Sequence, residues 1–153
     1  MTTAFRITKK NYAGDPLGGR GGLVAGGRWH RAGVRVVYCA TSSSLAALEY
    51  FVHFGKRQNK LSLVLIEVEI PDDVIEQLAN RRLPPDWRQI PPPISTANLG
   101  TAWLKRGRTA VLRVPSIQAP KEHNYLIDPS HADAARIKVR ASVAYSFDPR
   151  MWK

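Results

Sequence analysis

Apolar residues recur along this chain with two different periods, which predicts a mixed fold. Short β-branched and aromatic runs with a period of two predict strands, and apolar residues three and four positions apart predict helices. The predicted strands are residues 3–7, 35–40, 61–70, 110–114, 124–127 and 137–147, and the predicted helices follow Thr41 and span about 71–79 and 96–106. Mostly strands with three helices indicate an α+β fold with antiparallel pairing.

Two segments show neither period. Residues 11–27 hold seven glycines and one proline and are predicted to form a loop. Glycine lets backbone N–H groups approach a phosphate, but the spacing matches no phosphate-binding motif, so a surface loop is the simpler interpretation. Residues 81–93 hold five prolines and predict an extended connector that Trp87 pins to the fold.

The length and composition predict one domain, residues 1–153, with its own core. No apolar run approaches the roughly 20 residues of a membrane helix. The first ten residues lack the apolar centre of a signal peptide, which favours a cytoplasmic location. The single cysteine, Cys39, excludes an internal disulfide.

The net charge is unusual. Lysine and arginine number 23 against 12 acidic residues, a formal charge of +11. Such a surface attracts polyanions: nucleic acid, phosphorylated small molecules or an acidic protein. The cations are dispersed, and no zinc-finger or RNP-like motif accompanies them. An acidic partner or substrate is therefore favoured, while a nucleic-acid-binding module or a ribonuclease toxin stays as the alternative.

Three polar residues follow one another on three different predicted elements. A loop carries Arg28, a strand carries Tyr38 and a helix carries Glu49. Strand alternation puts Val36 and Tyr38 on one face and Val37 and Cys39 on the other. We expect the arginine, the tyrosine and the glutamate to line one pocket.

Glu49 is expected on the inward face of its helix, together with Leu45, Leu48, Val52 and His53. A buried acid costs free energy unless it is paired or functional. The alternative is that the apolar stripe is offset and Glu49 lies beside solvent.

Other chemistries find little support. The four histidines (His30, His53, His123 and His131) show no metal-binding spacing and are interpreted as lying outside the pocket, so no metal is expected. Ser116 follows Pro115 without the spacing of a nucleophile elbow, which argues against a hydrolase triad.

Several short motifs together resemble the RES domain. They are GGRW at 26–29, VVYCA at 36–40, LAALE ending at Glu49, VPS at 114–116, DW at 86–87, LG at 99–100 with Trp103, NYLIDPSH at 124–131 and FDPR at 147–150. The resemblance covers essentially the whole chain. It departs at His30, where asparagine is common, and at Asp128, where the family has NP.

The resemblance implies the toxin of a bacterial toxin–antitoxin pair, with a split antiparallel sheet similar to that of ADP-ribosyltransferases. It also implies NAD as substrate rather than as a prosthetic group. The expected partner is an Xre-like helix-turn-helix antitoxin, with the toxin as a homodimer inside a larger complex. Hydrolysis, phosphorolysis and ADP-ribosylation of a protein all remain open.

The same resemblance implies roles for five residues. Glu49 is expected to stabilise positive charge on the ribose, Tyr38 to stack on nicotinamide and Arg28 to hold the pyrophosphate. Arg6, from the first strand, is expected to assist Arg28. Ser116 is expected to donate a hydrogen bond inside the pocket.

Overall fold

The structure, a computed structural model, describes residues 1–55 and 61–152. Within that part it contains seven strands and three α-helices. The strands are β1 Thr2–Lys9, β2 Val37–Ala40, β3 Leu63–Ile70, β4 Ile75–Gln77, β5 Val111–Pro115, β6 His123–Ile127 and β7 Lys138–Tyr145. The helices are α1 Arg20–Val24, α2 Ser43–Phe54 and α3 Ile94–Arg106.

The seven strands form one sheet that is nearly divided in the middle. The strand order is β4-β5-β6-β2-β1-β3-β7, and every pair is antiparallel except β4 with β5. Strand β1 pairs with β3 from Thr2–Ile70 to Lys9–Leu63, whereas its register with β2 is the single pair Phe5–Ala40. The predicted α+β fold with a mostly antiparallel split sheet is confirmed.

Three apolar clusters hold the layers together. The first joins the two halves of the sheet, since it contains Val37 and Ile127 from one half and Ile66 and Val68 from the other. The second lies where α3 covers β5 and β6, and the third lies under α2. As the alternation predicted, Val37 and Cys39 face the first cluster, while Val36 and Tyr38 face the second.

Helix α2 begins where the Thr/Ser cluster predicted, but its buried face was placed wrongly. The Ser42 hydroxyl accepts a hydrogen bond from the Leu45 N–H at 3.0 Å, which caps the helix. The buried residues are Leu45, Ala46 and Tyr50, whereas Leu48, Val52 and His53 are exposed. The buried stripe of α2 is therefore shifted by about one position from the predicted one. Ala46 and Tyr50 pack with Ile7 of β1 in place of Leu48 and Val52. Glu49 is partly buried all the same.

Two other predictions are wrong in part. The loop predicted for 11–27 contains the short helix α1. In this helix Gly22 packs closely against Val34 and Val36, in the segment that precedes β2. The helix predicted for 71–79 is one 3-10 turn, Asp72–Val74, followed by β4. There the pairing of β4 with β5 outweighs a helical pattern that is only two turns long.

Helix α3 presses a glycine against the Arg-Trp turn that precedes β2. A Cβ on Gly100 would overlap the Trp29 carbonyl oxygen, so the two backbones touch. Trp29 and Trp103 are both buried in the cluster beneath this contact, and Trp87 packs against Trp29 with ring centroids 6.5 Å apart. Trp87 thus pins the proline-rich connector as the sequence predicted. Among the described residues, no helix is both long and apolar enough to cross a membrane.

We predict that Gly100→Ala destabilises the protein although alanine favours helix. The added methyl group would force α3 away from Trp29, and overpacking of this kind costs about 1–3 kcal/mol or more. Urea unfolding measures the free energy of unfolding. Gly21→Ala in α1 is the matched control, because a Cβ there meets nothing within 4 Å. Equal stability of both variants would show that the α3 contact is loose.

Candidate active site

A tight turn before β2 presents Arg28 and Trp29. The Gly27 N–H donates to the His30 carbonyl at 3.0 Å, and these two residues form an isolated β-bridge. Trp29 is only 2% exposed and faces the core. The turn therefore anchors itself through the indole and directs the neighbouring guanidinium toward β2 and α2.

Arg28 joins this turn to the proline-rich connector. Its Nη1 donates to the carbonyl oxygens of Trp87 at 2.8 Å and Gln89 at 2.9 Å. Within the described part of the chain both hydrogen bonds come from Nη1, so Nη2 and Nε remain available to a ligand. Burial lowers the pKa of Arg28, and the nearby acidic groups Glu49 and Tyr38 act in the opposite direction. Arg28, Tyr38 and Glu49 therefore lie within electrostatic reach of one another.

Tyr38 is held by its hydroxyl group. The Tyr38 Oη lies 2.7 Å from His30 Nδ1 and accepts from the Trp29 N–H at 3.3 Å. Burial raises the pKa of this phenol above its usual range, with smaller effects from Arg28 and Glu49. Tyr38 is thus a neutral aromatic ring of fixed orientation at physiological pH.

Glu49 is held by two neutral donors. Its Oε1 accepts from the Ser116 hydroxyl at 3.0 Å and from the Asn124 side-chain amide at 2.9 Å. Ser116 is 3% exposed, and its oxygen also accepts from the backbone N–H groups of Gln118 and Ala119. The Ser116 proton is therefore committed to Glu49. Neutral donors position the carboxylate without neutralising its charge.

Arg6 occupies a different position. From β1 its Nη1 donates to the Tyr38 carbonyl oxygen at 3.0 Å, across the gap where β1 and β2 share little pairing. Burial lowers the pKa of Arg6, and the nearby Cys39 acts in the opposite direction. Within the part of the chain that the structure describes, Arg6 Nε is buried without a hydrogen-bond partner. Arg6 thus supports the backbone of Tyr38 and faces Cys39, on the side of β2 opposite the Tyr38 ring.

Sequence reasoning missed two residues of this site. Interpreting all four histidines as outside the pocket was wrong for His30, which contacts the Tyr38 hydroxyl. Asn124 was noted only as part of a motif and received no role, although it holds Glu49. The position of His30 directly after the Arg-Trp pair was the available signal for the first. Only the pairing of β2 with β6, which sets Asn124 opposite Ala40, reveals the second.

In the described part of the chain, this location contains no cluster of metal ligands and is separate from a hollow in the surface. Over residues 1–55 and 61–152, no three His, Cys, Asp or Glu side chains are grouped so that they could hold a metal ion. A separate, mostly apolar hollow of about 360 Å³ lies among Leu17, Pro129 and Ile137. Its lining contains none of the predicted site residues.

Known proteins are similar in sequence to this chain along almost its whole length. The family model described as the RES domain matches residues 3–148. The "Prs ADP-ribosylating toxin" of Sphingobium sp. (strain YBL2) is 41% identical over 157 residues, covering 99% of this chain and 98% of the relative. A "Toxin Res" of Yersinia enterocolitica is 34% identical over 148 residues, covering 96% of this chain and 97% of the relative.

A solved structure shares the fold. The match is to the crystal structure of the M. tuberculosis MbcT–MbcA toxin–antitoxin complex, with a TM-score of 0.79. The alignment covers 95% of this chain and 84% of the other, at 17% sequence identity. At that identity the likeness concerns the arrangement of strands and helices.

We predict that Asn124→Asp makes stability depend strongly on pH. The new carboxylate would meet Glu49 at the distance where the amide now donates, so the folded pair would retain a proton. The folded state then binds more protons than the unfolded state above about pH 4, and stability falls as the pH rises. We expect a further loss of roughly 2–3 kcal/mol between acidic and neutral pH.

Asn124→Ala is the control for that experiment, since it removes the hydrogen bond without adding a charge. Urea unfolding at several pH values gives both stability curves. Parallel curves for the alanine and aspartate variants would mean that Asn124 does not contact Glu49.

Proposed function

This chain belongs to the RES domain family, and on that premise we propose that it is a bacterial toxin that cleaves the nicotinamide–ribose bond of NAD. The observation that supports the proposal most is that the Tyr38 hydroxyl contacts the turn that carries Arg28, while Glu49 is held by Asn124 on the strand paired with that of Tyr38. Glu49 and Tyr38 also act on the pKa of Arg28, which supports their proximity. The Arg28 guanidinium suits the pyrophosphate of a dinucleotide, the Tyr38 ring suits its nicotinamide, and the Glu49 carboxylate suits its ribose.

The chemistry requires a negative charge near the ribose. As the bond between C1′ and the nicotinamide nitrogen breaks, nicotinamide leaves with the electron pair and the sugar becomes oxocarbenium-like. Within the described residues Glu49 uses only Oε1 for hydrogen bonds, so Oε2 is available to the ribose. An acceptor oxygen then bonds to C1′ and loses its proton. Glu49 stabilises the cation and orients that acceptor.

The other side chains bind and position. Arg28 holds the pyrophosphate through Nη2 and Nε, while Nη1 keeps its two carbonyl contacts. Tyr38 stacks on the nicotinamide ring. Ser116 contributes by directing Glu49. Arg6 assists indirectly from β1, because it holds the Tyr38 carbonyl and so the backbone that carries the ring.

The second candidate reaction is ADP-ribosylation of a protein. It is favoured by the Sphingobium relative, which is named an ADP-ribosylating toxin and is 41% identical to this chain. The two reactions share the bond cleavage and differ only in the acceptor: water, phosphate or a protein side chain. Both use NAD as substrate and require no prosthetic group.

A ribonuclease is less well supported than either reaction. Cleavage of RNA needs groups that shuttle protons, and histidine is the usual one at neutral pH. Both ring nitrogens of His30 are engaged inside the protein, one with Ala25 and one with Tyr38. His30 is therefore not available to a nucleic-acid substrate.

An enzyme that consumes NAD has to be restrained in its own cell. The proposed restraint is an Xre-like helix-turn-helix antitoxin, bound to a toxin dimer in the cytoplasm and covering the mouth of the site. The net charge of +11 favours an acidic segment as the covering element.

We predict that Glu49→Gln keeps the fold and loses most NAD cleavage. The carboxamide oxygen can still accept from Ser116 and Asn124, so the variant removes charge but not the hydrogen bonds. Loss of one well-placed electrostatic group typically lowers the rate by about 100- to 1000-fold. Chromatography of the nicotinamide released from NAD measures the rate. The ADP-ribose product formed with and without phosphate identifies the acceptor.

Arg28→Ala provides a contrast in the same assay. It should weaken NAD binding, because removing one partner of a desolvated charge pair costs roughly 2–5 kcal/mol. Near-wild-type turnover by folded Glu49→Gln protein would exclude Glu49 from the mechanism. Unchanged NAD affinity in Arg28→Ala would make Arg28 a purely structural link to the Trp87 connector.

We also predict that expression of the wild-type protein alone arrests growth and depletes NAD. Co-expression of an adjacent helix-turn-helix protein should reverse both effects. Glu49→Gln should be harmless and still capture that partner in a pull-down, since Glu49 lies inside the site. Intracellular NAD after induction is the measurement. Growth arrest with normal NAD would argue for modification of a protein in place of NAD depletion.

A further inference from the structure

The buried ring of His30 connects two segments of the site. The residue is 5% exposed. Its Nε2 lies 2.9 Å from the Ala25 carbonyl oxygen, and its Nδ1 lies 2.7 Å from the Tyr38 hydroxyl. The ring therefore ties the segment before the turn to strand β2, immediately beside Arg28.

The partners of His30 determine where its proton lies. A carbonyl oxygen can only accept, so Nε2 must carry the hydrogen that goes to Ala25. A neutral imidazole has one N–H, which makes Nδ1 an acceptor. The Tyr38 O–H then donates to His30, while the Trp29 N–H donates to Tyr38. Of the two neutral tautomers, only this one satisfies all three hydrogen bonds.

The surroundings favour the neutral ring. Burial lowers the pKa of His30, which the Ala25 carbonyl partly opposes. The groups facing the ring are the Ala25 carbonyl and the Tyr38 hydroxyl, with Arg28 and Glu49 beyond Tyr38. An imidazolium here would have two N–H groups and could not accept from Tyr38. It would also add a positive charge beside the proposed position of the cationic nicotinamide ring.

We propose that His30 is the positioning residue that holds the Tyr38 ring in the orientation needed to stack on nicotinamide, and that it does so only as the neutral Nε2–H tautomer. This inference rests on the proposed function for its ligand. His30 acts through Tyr38 and does not itself touch the substrate. The proposal implies that NAD affinity and turnover fall on acidification. His30 becomes protonated at a pH below the ordinary imidazole pKa of about 6.5, because burial lowers its pKa.

Two amide substitutions separate the two contacts of the ring. In His30→Asn the amide oxygen takes the place of Nδ1 and can accept from Tyr38, but it does not reach Ala25. In His30→Gln the amide reaches the position of Nε2 near Ala25, and the Tyr38 hydroxyl loses its acceptor. The two variants therefore disturb packing to a similar extent but differ in the interaction that the proposal invokes.

We predict that His30→Gln lowers kcat/KM for NAD by on the order of 10- to 100-fold, as misplaced reactants do, whereas His30→Asn stays close to wild type. The acidic decline in activity should be weaker in His30→Asn, whose side chain cannot be protonated. In a Tyr38→Phe background His30→Gln should cause no further loss, because its effect passes through the hydroxyl. Wild-type activity in His30→Gln, or multiplicative losses in the double variant, would overturn the proposal.

Nitrogen NMR of the imidazole tests the proposal independently of catalysis and of how the His30 variants fold. The expected spectrum shows a neutral Nε2–H ring, with an Nδ1 shift that changes in Tyr38→Phe. An Nδ1–H tautomer, or no response to Tyr38→Phe, would overturn it. If wild-type protein released no nicotinamide, the proposed function would fail, and the NMR result would still decide whether His30 positions Tyr38.

Discussion

The contact between the Trp29 carbonyl and Gly100 is the constraint on which the site depends. Because α3 presents only a glycine there, the Arg-Trp turn can lie directly on the helix, with its indole in the core. Several other features of the site refer to that turn. Arg28 holds the Trp87 connector, His30 folds back to Ala25, and the Trp29 N–H reaches Tyr38. A side chain at Gly100 would displace all of them together.

The site combines a rigid frame with unneutralised charge. Among the described residues, Ser116 and Asn124 hold the Glu49 carboxylate with no cation in direct contact, and backbone carbonyls hold the Arg28 guanidinium with no carboxylate in direct contact. Neutral partners orient these groups and leave their charges available to a ligand. Burying charged groups in this way costs stability, and such costs are typical of functional sites.

The division of the sheet gives the site its location. Strand β2 pairs fully with β6 but meets β1 at one residue pair, so Tyr38 lies at the junction of two half-sheets. Arg6 crosses that junction to the Tyr38 carbonyl, where the ladder of backbone hydrogen bonds is incomplete. The core cluster that joins the halves leaves the Tyr38 side chain on the opposite face, where Arg28, His30 and Glu49 converge.

The sequence by itself determined the fold class, most strands, and helices α2 and α3, and it pointed to Arg28, Tyr38 and Glu49 as candidate site residues. Those features depend on local periodicity, on capping and turn residues, and on motifs that lie close together along the chain. It did not determine the buried face of α2, the short helix α1 or strand β4, because packing partners far away in the chain decide each of these.

Tertiary structure alone decided how the charged groups are held. Asn124 lies 75 positions from Glu49 along the chain and reaches it only because β6 pairs with β2. His30 is a histidine with no metal-binding spacing, and only the closed turn shows that its ring contacts the Tyr38 hydroxyl. Hydrogen-bond partners are chosen by proximity in the folded chain, and sequence periodicity carries no information about proximity between distant segments.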